Sequence, residues 1–182
     1  MTLRLLAPVC ILLTACSHQA PLPILGQVPD FTLTAQTGEP FQGAALLGHV
    51  WIADFIYTNC PGPCPLMTQR LKRVQQATGG SIRFVSFTVD PARDTPAALT
   101  AYARLFGVKP DRWTFLTGDP KTLNMLDRDA FKLGVLDPSF DHSTRFVLVD
   151  ARNRIRGYYG MGLENMVERI SKDARDLEKE KT

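Results

Sequence analysis

The 182-residue sequence lacks any apolar run of the ~18–20 residues that a membrane-spanning helix needs, which sets aside a polytopic membrane protein. It also lacks a strong charge of one sign. Lys and Arg number 21 against 18 Asp and Glu, a net charge of +3, so mild an excess that it argues against nucleic acid as a partner. Cysteine is scarce, with four in the chain, and the length suffices to bury a core without staples, so this is no disulfide-held miniprotein. Glycine and proline, 13 each, fall short of a fibrous or disordered composition. What remains is an ordinary folded domain with a short additional segment.

That segment is at the start. Residues 1–16 read MTLRLLAPVCILLTAC, with Arg4 as the only charge. Residues 5–15 form an apolar stretch of the length of a secretory h-region. It ends in Leu13-Thr14-Ala15-Cys16, which resembles the lipobox of bacterial lipoproteins. The resemblance implies a signal peptide over 1–15 and lipid attachment at Cys16, whose chains then hold the protein at a bilayer. A plain signal peptide with a chance cysteine is the alternative. The expected location is the bacterial cell envelope, lipid-anchored, with the domain on the exported, periplasmic or extracellular side. Residues 16–29 contain three prolines and no helical period and read as a tether. Residues 30–182 read as one domain.

Cysteine use then becomes informative. Cys10 leaves with the signal and Cys16 carries lipid, so the domain keeps Cys60 and Cys64. The compartment is oxidising, yet this pair closes too small a loop to matter as a staple. It points to chemistry.

The hydrophobic pattern alternates between periods. Residues 31–35 and a stretch around Phe41 flank a Gln36-Thr37-Gly38 turn, a hairpin whose second arm is an edge strand because of Pro40. Residues 50–57 (VWIADFIY) are near-continuously apolar, as in a strand covered on both faces. Residues 63–78 are helical, with Met67, Leu71, Val74 and Thr78 on one face. Residues 82–89 and 113–116 read as strands. Thr95 and Pro96 open a helix that ends before Gly107, and residues 121–131 form another. A hairpin over 144–149 and 154–159 precedes a terminal helix over 163–177, with residues 178–181 frayed. Trp51, Phe55, Phe84 and Trp113 read as core, and Arg152, Arg154 and Arg156 as a solvated face. The predicted class is α/β: a thioredoxin-like fold, a mixed central sheet flanked by helices, with an N-terminal β-hairpin extension.

Cys60 and Cys64 sit in Thr58-Asn59-Cys60-Pro61-Gly62-Pro63-Cys64-Pro65, between a strand and a helix start. A helix N-terminus lowers the pKa of a thiolate, and paired thiolates form a disulfide or grip a soft ion such as Cu(I) or zinc. Of the three histidines, His18 lies in the tether and His49 at the start of an apolar strand. His142 lies in the loop before the 144–149 strand, which such a sheet places beside the cysteine loop, so it is the candidate third ligand. Asp90 reads as a turn residue before Pro91 and alternatively as a weak oxygen ligand or tuning group. Asp94 reads as a helix-start residue.

Three segments carry a family likeness. Residues 54–65 (DFIYTNCPGPCP), residues 85–96 (VSFTVDPARDTP) and Asp141-His142-Ser143 resemble elements of the Sco/SenC family of copper-binding assembly factors for cytochrome c oxidase. The likeness implies Cu(I) and Cu(II) as cargo, Cys60, Cys64 and His142 as ligands, and a redox-active Cys60–Cys64 disulfide. It further implies oxidase subunit II as acceptor and a chaperone in place of an enzyme; an exported dithiol that must be reduced to bind copper also calls for a thioredoxin-like thiol reductase as partner, beside a periplasmic copper donor. Many relatives use a transmembrane helix where this sequence offers lipid at Cys16. The competing reading is a thiol–disulfide reductase acting on copper-site cysteines. The CxxxC spacing and the lack of a proline next to the 144–149 strand speak against a thioredoxin-type catalyst. A peroxiredoxin-type site is unsupported because Ala53 and Tyr57 stand at its proline and threonine positions. A copper or redox sensor and a purely structural disulfide complete the alternatives.

Overall fold

The computed structural model describes residues 20–108, 110–133 and 144–180. In chain order the elements are β1 (Gly26–Gln27), β2 (Thr32–Ala35), β3 (Pro40–Gln42), β4 (Trp51–Ile56), α1 (Pro63–Ala77), β5 (Arg83–Thr88), α2 (Pro96–Leu105), β6 (Trp113–Thr117), α3 (Pro120–Asn124), β7 (Arg145–Val149), β8 (Arg154–Gly160) and α4 (Met166–Lys179). The strands form one sheet in the order β1-β8-β7-β4-β5-β6-β2-β3. β4, β5 and β6 are parallel, joined by the crossover helices α1 and α2. β7 joins β4 antiparallel, and the β2–β3 hairpin closes the far edge on β6. This is the mixed, thioredoxin-like sheet with an N-terminal hairpin that the sequence predicts.

Every residue of β4 is buried, which is why its sequence reads as continuous rather than alternating. Its pleat divides two cores. Ile52 and Ile56 face α1, α2 and α4 with Met67, Leu71, Tyr102 and Ile170. Trp51, Ala53 and Phe55 face the hairpin and α3 with Phe31, Phe87 and Phe131. The four residues Trp51, Phe55, Phe84 and Trp113 are all core, as expected.

Five local expectations are corrected. The segment expected as tether is extended but docked: β1 pairs with β8, Val28 is buried, and the carbonyls of Leu22 and Pro23 accept hydrogen bonds from Arg156. Arg156 is therefore not on a solvated face. The β7–β8 register shifts between Leu148 and Val149, so that Gly157 and Ile155 are their partners and Arg156 is the extra residue of a bulge. The bulge interrupts the alternation and buries the guanidinium against Asp150 (2.9 Å) and Glu180 (3.2 Å). Residues 178–180 are likewise held rather than frayed, since α4 runs to Lys179 and Glu178 Oε1 accepts from the Val50 amide, while residue 181 lies outside the described residues. At the other end of α4, Leu163 precedes the helix and is exposed.

The helix expected over 121–131 is α-helical only through Asn124. Met125–Ala130 form a wider π-type turn, with Phe131 N–H donating to Leu126 O. Leu126, Ala130 and Phe131 are all buried by it, and Phe131 meets Trp51 and Phe55 edge-on.

Candidate metal centre

Three stretches meet at one end of the sheet. β4 and β5 are parallel, so the cysteine loop after Ile56 and the turn after Thr88 leave from the same end. β7 is antiparallel to β4, with Ala53 opposite Val147, so the start of β7 lies at that end too.

The loop is built so that one sulfur replaces a helix cap. Gly62 provides no side-chain cap for α1, and Pro63 and Pro65 have no N–H. The Cys64 amide is the one N–H of these first helical residues, and it donates to Cys60 Sγ at 3.4 Å. Neither cysteine is in a disulfide. Burial alone raises the Cys60 thiol pKa. Hydrogen bonds from the Cys64 thiol, the Cys64 and Gly62 amides and the Tyr57 hydroxyl outweigh it and hold Cys60 below the ordinary thiol range. Cys64 goes the other way: burial first, then its bond to Cys60, push its thiol up. The pair therefore has an easily ionised outer sulfur and a proton-holding inner one. The bond to Cys60, followed by burial, raises the Tyr57 phenol in turn.

Asp94 fixes where the loop leaves the strand. It is buried, and its carboxylate accepts from the Thr58 amide (3.1 Å), the Thr58 hydroxyl (2.5 Å) and the Thr88 hydroxyl. The helix-start role expected of it belongs instead to Thr95, whose hydroxyl accepts from the Ala98 amide. The two sequence elements over 54–65 and 85–96 are thus joined by one carboxylate, two residues ahead of Cys60.

Beneath the cysteines runs a buried polar chain. Trp113 Nε1 donates to Ser86 Oγ (2.9 Å), and Ser86 donates to Asp54 Oδ1 (2.5 Å). Asp54 Oδ2 has no hydrogen-bond partner among the described residues. Burial, partly offset by Ser86, raises the Asp54 pKa to about 7. Alongside, Thr68 Oγ1 donates to the Cys64 carbonyl (3.0 Å) and meets the Tyr102 hydroxyl (2.9 Å), which ties α1 to α2.

The predicted site residues divide as follows. Cys60 and Cys64 are together at the start of α1. Asp90 is a turn residue: its amide donates to Thr88 Oγ1, and its carboxylate pairs with Arg93 at 2.8 Å. His49 precedes β4, at the end of the sheet opposite the cysteines. His142, Cys16 and His18 lie outside the described residues. Among the described residues no group of three or more His, Cys, Asp and Glu is placed to hold a metal ion. Sequence reasoning missed Tyr57 and Asp54 as site residues. A charge inside an otherwise apolar strand was the available signal for Asp54.

A family model described as SCO1/SenC matches residues 25–177. The chain is 34% identical over 162 residues to a SCO1 protein homolog of Bacillus subtilis, spanning 84% of this chain and 83% of the relative. Among solved structures it is similar to BsSco, described as a member of the Sco family of cytochrome c oxidase assembly proteins with a disulfide switch (TM-score 0.78, 32% identity, 88% of this chain and 98% of that one). It is similar to a SCO1/SenC family lipoprotein from Bacillus anthracis (TM-score 0.74, 33% identity, 84% and 95%). A third is yeast Sco1 with copper bound (TM-score 0.69, 26% identity, 84% and 90%).

Proposed function

The chain belongs to the SCO1/SenC family, and from that premise we propose that it is a membrane-anchored copper chaperone for assembly of the binuclear copper centre of cytochrome c oxidase. The observation that carries the reading is the pair of thiols at the start of α1, with Cys60 capped by the Cys64 amide. Soft thiolates select Cu(I) over hard cations. Cys60 supplies the first thiolate, and an arriving ion displaces the proton of Cys64, because metal coordination overrides the burial that holds it. His142 is the third ligand. The chain enters β7 three residues past it, at the cysteine end of the sheet. An oxygen from Asp90 or water completes the set for Cu(II). A three-ligand site suits a carrier, since an incoming ligand takes the ion stepwise. The copper-bound yeast Sco1 supports the cargo, and the Bacillus lipoprotein supports lipid at Cys16 after removal of residues 1–15. Among the described residues no helix is long and apolar enough to cross a membrane. The acceptor is oxidase subunit II, and the copper comes from a periplasmic donor.

Oxidation removes two electrons and two protons from the thiols, joins the sulfurs and abolishes binding, so a thioredoxin-like reductase is needed to restore the carrier. Anaerobic Cu(I) titration of the reduced protein is the test. One ion is expected per chain, with loss of binding in Cys60→Ser/Cys64→Ser and weakening in His142→Ala. Unchanged affinity in the double variant refutes the site.

The opposed thiol shifts favour one second reading, a thiol–disulfide reductase with Cys60 as attacking sulfur and Cys64 as resolving sulfur. Fast turnover in insulin reduction, together with weak Cu(I) binding, selects it.

A further inference from the structure

Between Asp54 and Asp90 the sequence has no Asp or Glu, and none between Asp94 and Asp111. Helices α1 and α2 fall in these stretches, so they carry Arg70, Lys72, Arg73 and Arg104 with no carboxylate between them. Among the described residues none of the four is in an ion pair. Helix α4 is the contrast: its acids and bases are mixed, and Asp176 pairs with both Lys172 and Lys179.

A groove of about 680 Å³ runs between the two basic helices. It starts at Pro65, next to Cys64, and continues past Lys72 and Arg73 to Leu105 and Phe106. Leu105 is 79% exposed, more than any other large apolar side chain described. Lys72 donates to the Phe106 carbonyl at 2.8 Å, so the wall between α1 and the end of α2 is tied. Arg73 is left exposed above it. Isolated exposed leucines need no explanation, but here the apolar side chain, the unpaired charge of one sign and the concavity coincide beside the cysteine loop.

We infer that the α1–α2 groove is the docking surface for the protein that exchanges copper or thiol electrons with Cys60 and Cys64, and that it takes a segment of that partner bearing acidic residues around an apolar anchor. The inference rests on the proposed exchange function and names where the partner sits. Cys60 is 6% exposed, so a partner must cover the loop to reach it. Its neighbouring surface then falls on Pro65 and the groove. Charge complementarity sets the sign: like charge is repelled, and an acidic segment is steered and held in register. A protein segment fits better than a bilayer. The groove is concave, and residues 22–27 lie along β8 at the edge of the sheet, whereas α2 packs on β6 across the sheet from it.

The test uses the isotope-labelled, reduced, metal-free full-length protein in detergent, titrated with the soluble copper domain of oxidase subunit II from the same organism. Amide shifts are followed at low and high salt. Expected are shifts at residues 65–76 and 104–107. Association should weaken about tenfold in Arg73→Glu and in Leu105→Ser, and with added salt, as for a steered interface. Both positions are outside the cysteine site, so Cu(I) affinity should be unchanged in both variants. Shifts confined to another face, no association, or association indifferent to both substitutions overturns the groove while Cu(I) binding by the wild type still upholds the carrier. Loss of wild-type Cu(I) binding overturns the carrier and leaves the groove shifts as an independent readout. A parallel arm uses phosphatidylcholine–phosphatidylglycerol vesicles. Groove shifts produced by the vesicles and not by the copper domain overturn the protein-docking inference in favour of a lipid surface.

Discussion

The two faces of the central sheet are built on different terms. On one, Phe31, Phe55, Phe87 and Phe131 stack and meet edge-on around Trp51, with ring centroids 5.0–6.0 Å apart. On the other, rings pack as closely, with Trp113 5.5 Å from Phe84 and 5.6 Å from Phe115, but the strands also place Asp54, Ser86 and Trp113 Nε1 in a buried polar chain beneath Cys60 and Cys64. Adjacent residues of β4 supply both: Phe55 goes to the aromatic layer and Asp54 to the polar one. The first face holds the sheet with dispersion and area alone. The polar face gives up some of that stability to set the protonation and position of two sulfurs. Reactivity here is assembled on the less economical side of a well-packed sheet.

Substitutions on each face test this division. Phe55→Ala should cost most, about 3–5 kcal/mol in denaturant unfolding, while the alkylation rate of Cys60 in the folded protein stays as in the wild type. A changed rate would mean that the two faces are not separable. Asp54→Asn should come next. The folded-state pKa of Asp54 is raised to about 7 from 3.8, so between these values the native state holds a proton that the unfolded state has lost. Its carboxyl therefore costs nothing below pH 3.8 and destabilises progressively as pH rises to about 7. The asparagine variant should be more stable than the wild type at pH 8, by up to about 4 kcal/mol, and nearly equal at pH 4. Urea midpoints across pH measure it, and a gain that persists undiminished in acid contradicts the mechanism.

Asp94→Ala strands three donors, at Thr58 and Thr88, and should cost about 2–3 kcal/mol. Unlike Phe55→Ala, it should also alter Cys60 alkylation, because the loop loses its fixed departure point. The smallest effect is expected of Tyr57→Phe. Removing the phenol that donates to Cys60 raises that thiol's pKa, so iodoacetamide labelling at neutral pH slows by up to about tenfold with stability almost unchanged. In the wild type Cys60 should label well before Cys64.

Much of this organisation was legible in the residues. A near-continuous apolar run marked β4, a strand-like run marked β5, helical spacing marked α1, the Thr95-Pro96 start and Gly107 marked α2, and the cysteine pair fell between a strand and a helix start, as the structure has it. The family likeness of residues 54–65 and 85–96 is likewise upheld by the match over 25–177. What escaped were features that depend on partners distant in sequence. Arg156 reads as surface until a bulge in β8 turns it inward. Residues 21–29 carry three prolines and no period, so their docking on β8 has no local signature. A π-type turn at Met125–Ala130 keeps the apolar content of an α-helix and changes only its bonding. Asp94 looks like any acid before a helix, and its work shows only when Thr58 and Thr88 are brought beside it.

The clasp of Arg156 on the Leu22 and Pro23 carbonyls sets a leash length. With lipid on Cys16, as proposed, six residue steps separate the anchor from the docked residue 22, fewer than the span to residue 29 expected from the sequence. Fully extended, that reaches about 20 Å. A body so closely moored sweeps only a thin layer above the lipid headgroups, which suits it to clients that are themselves embedded at the same height.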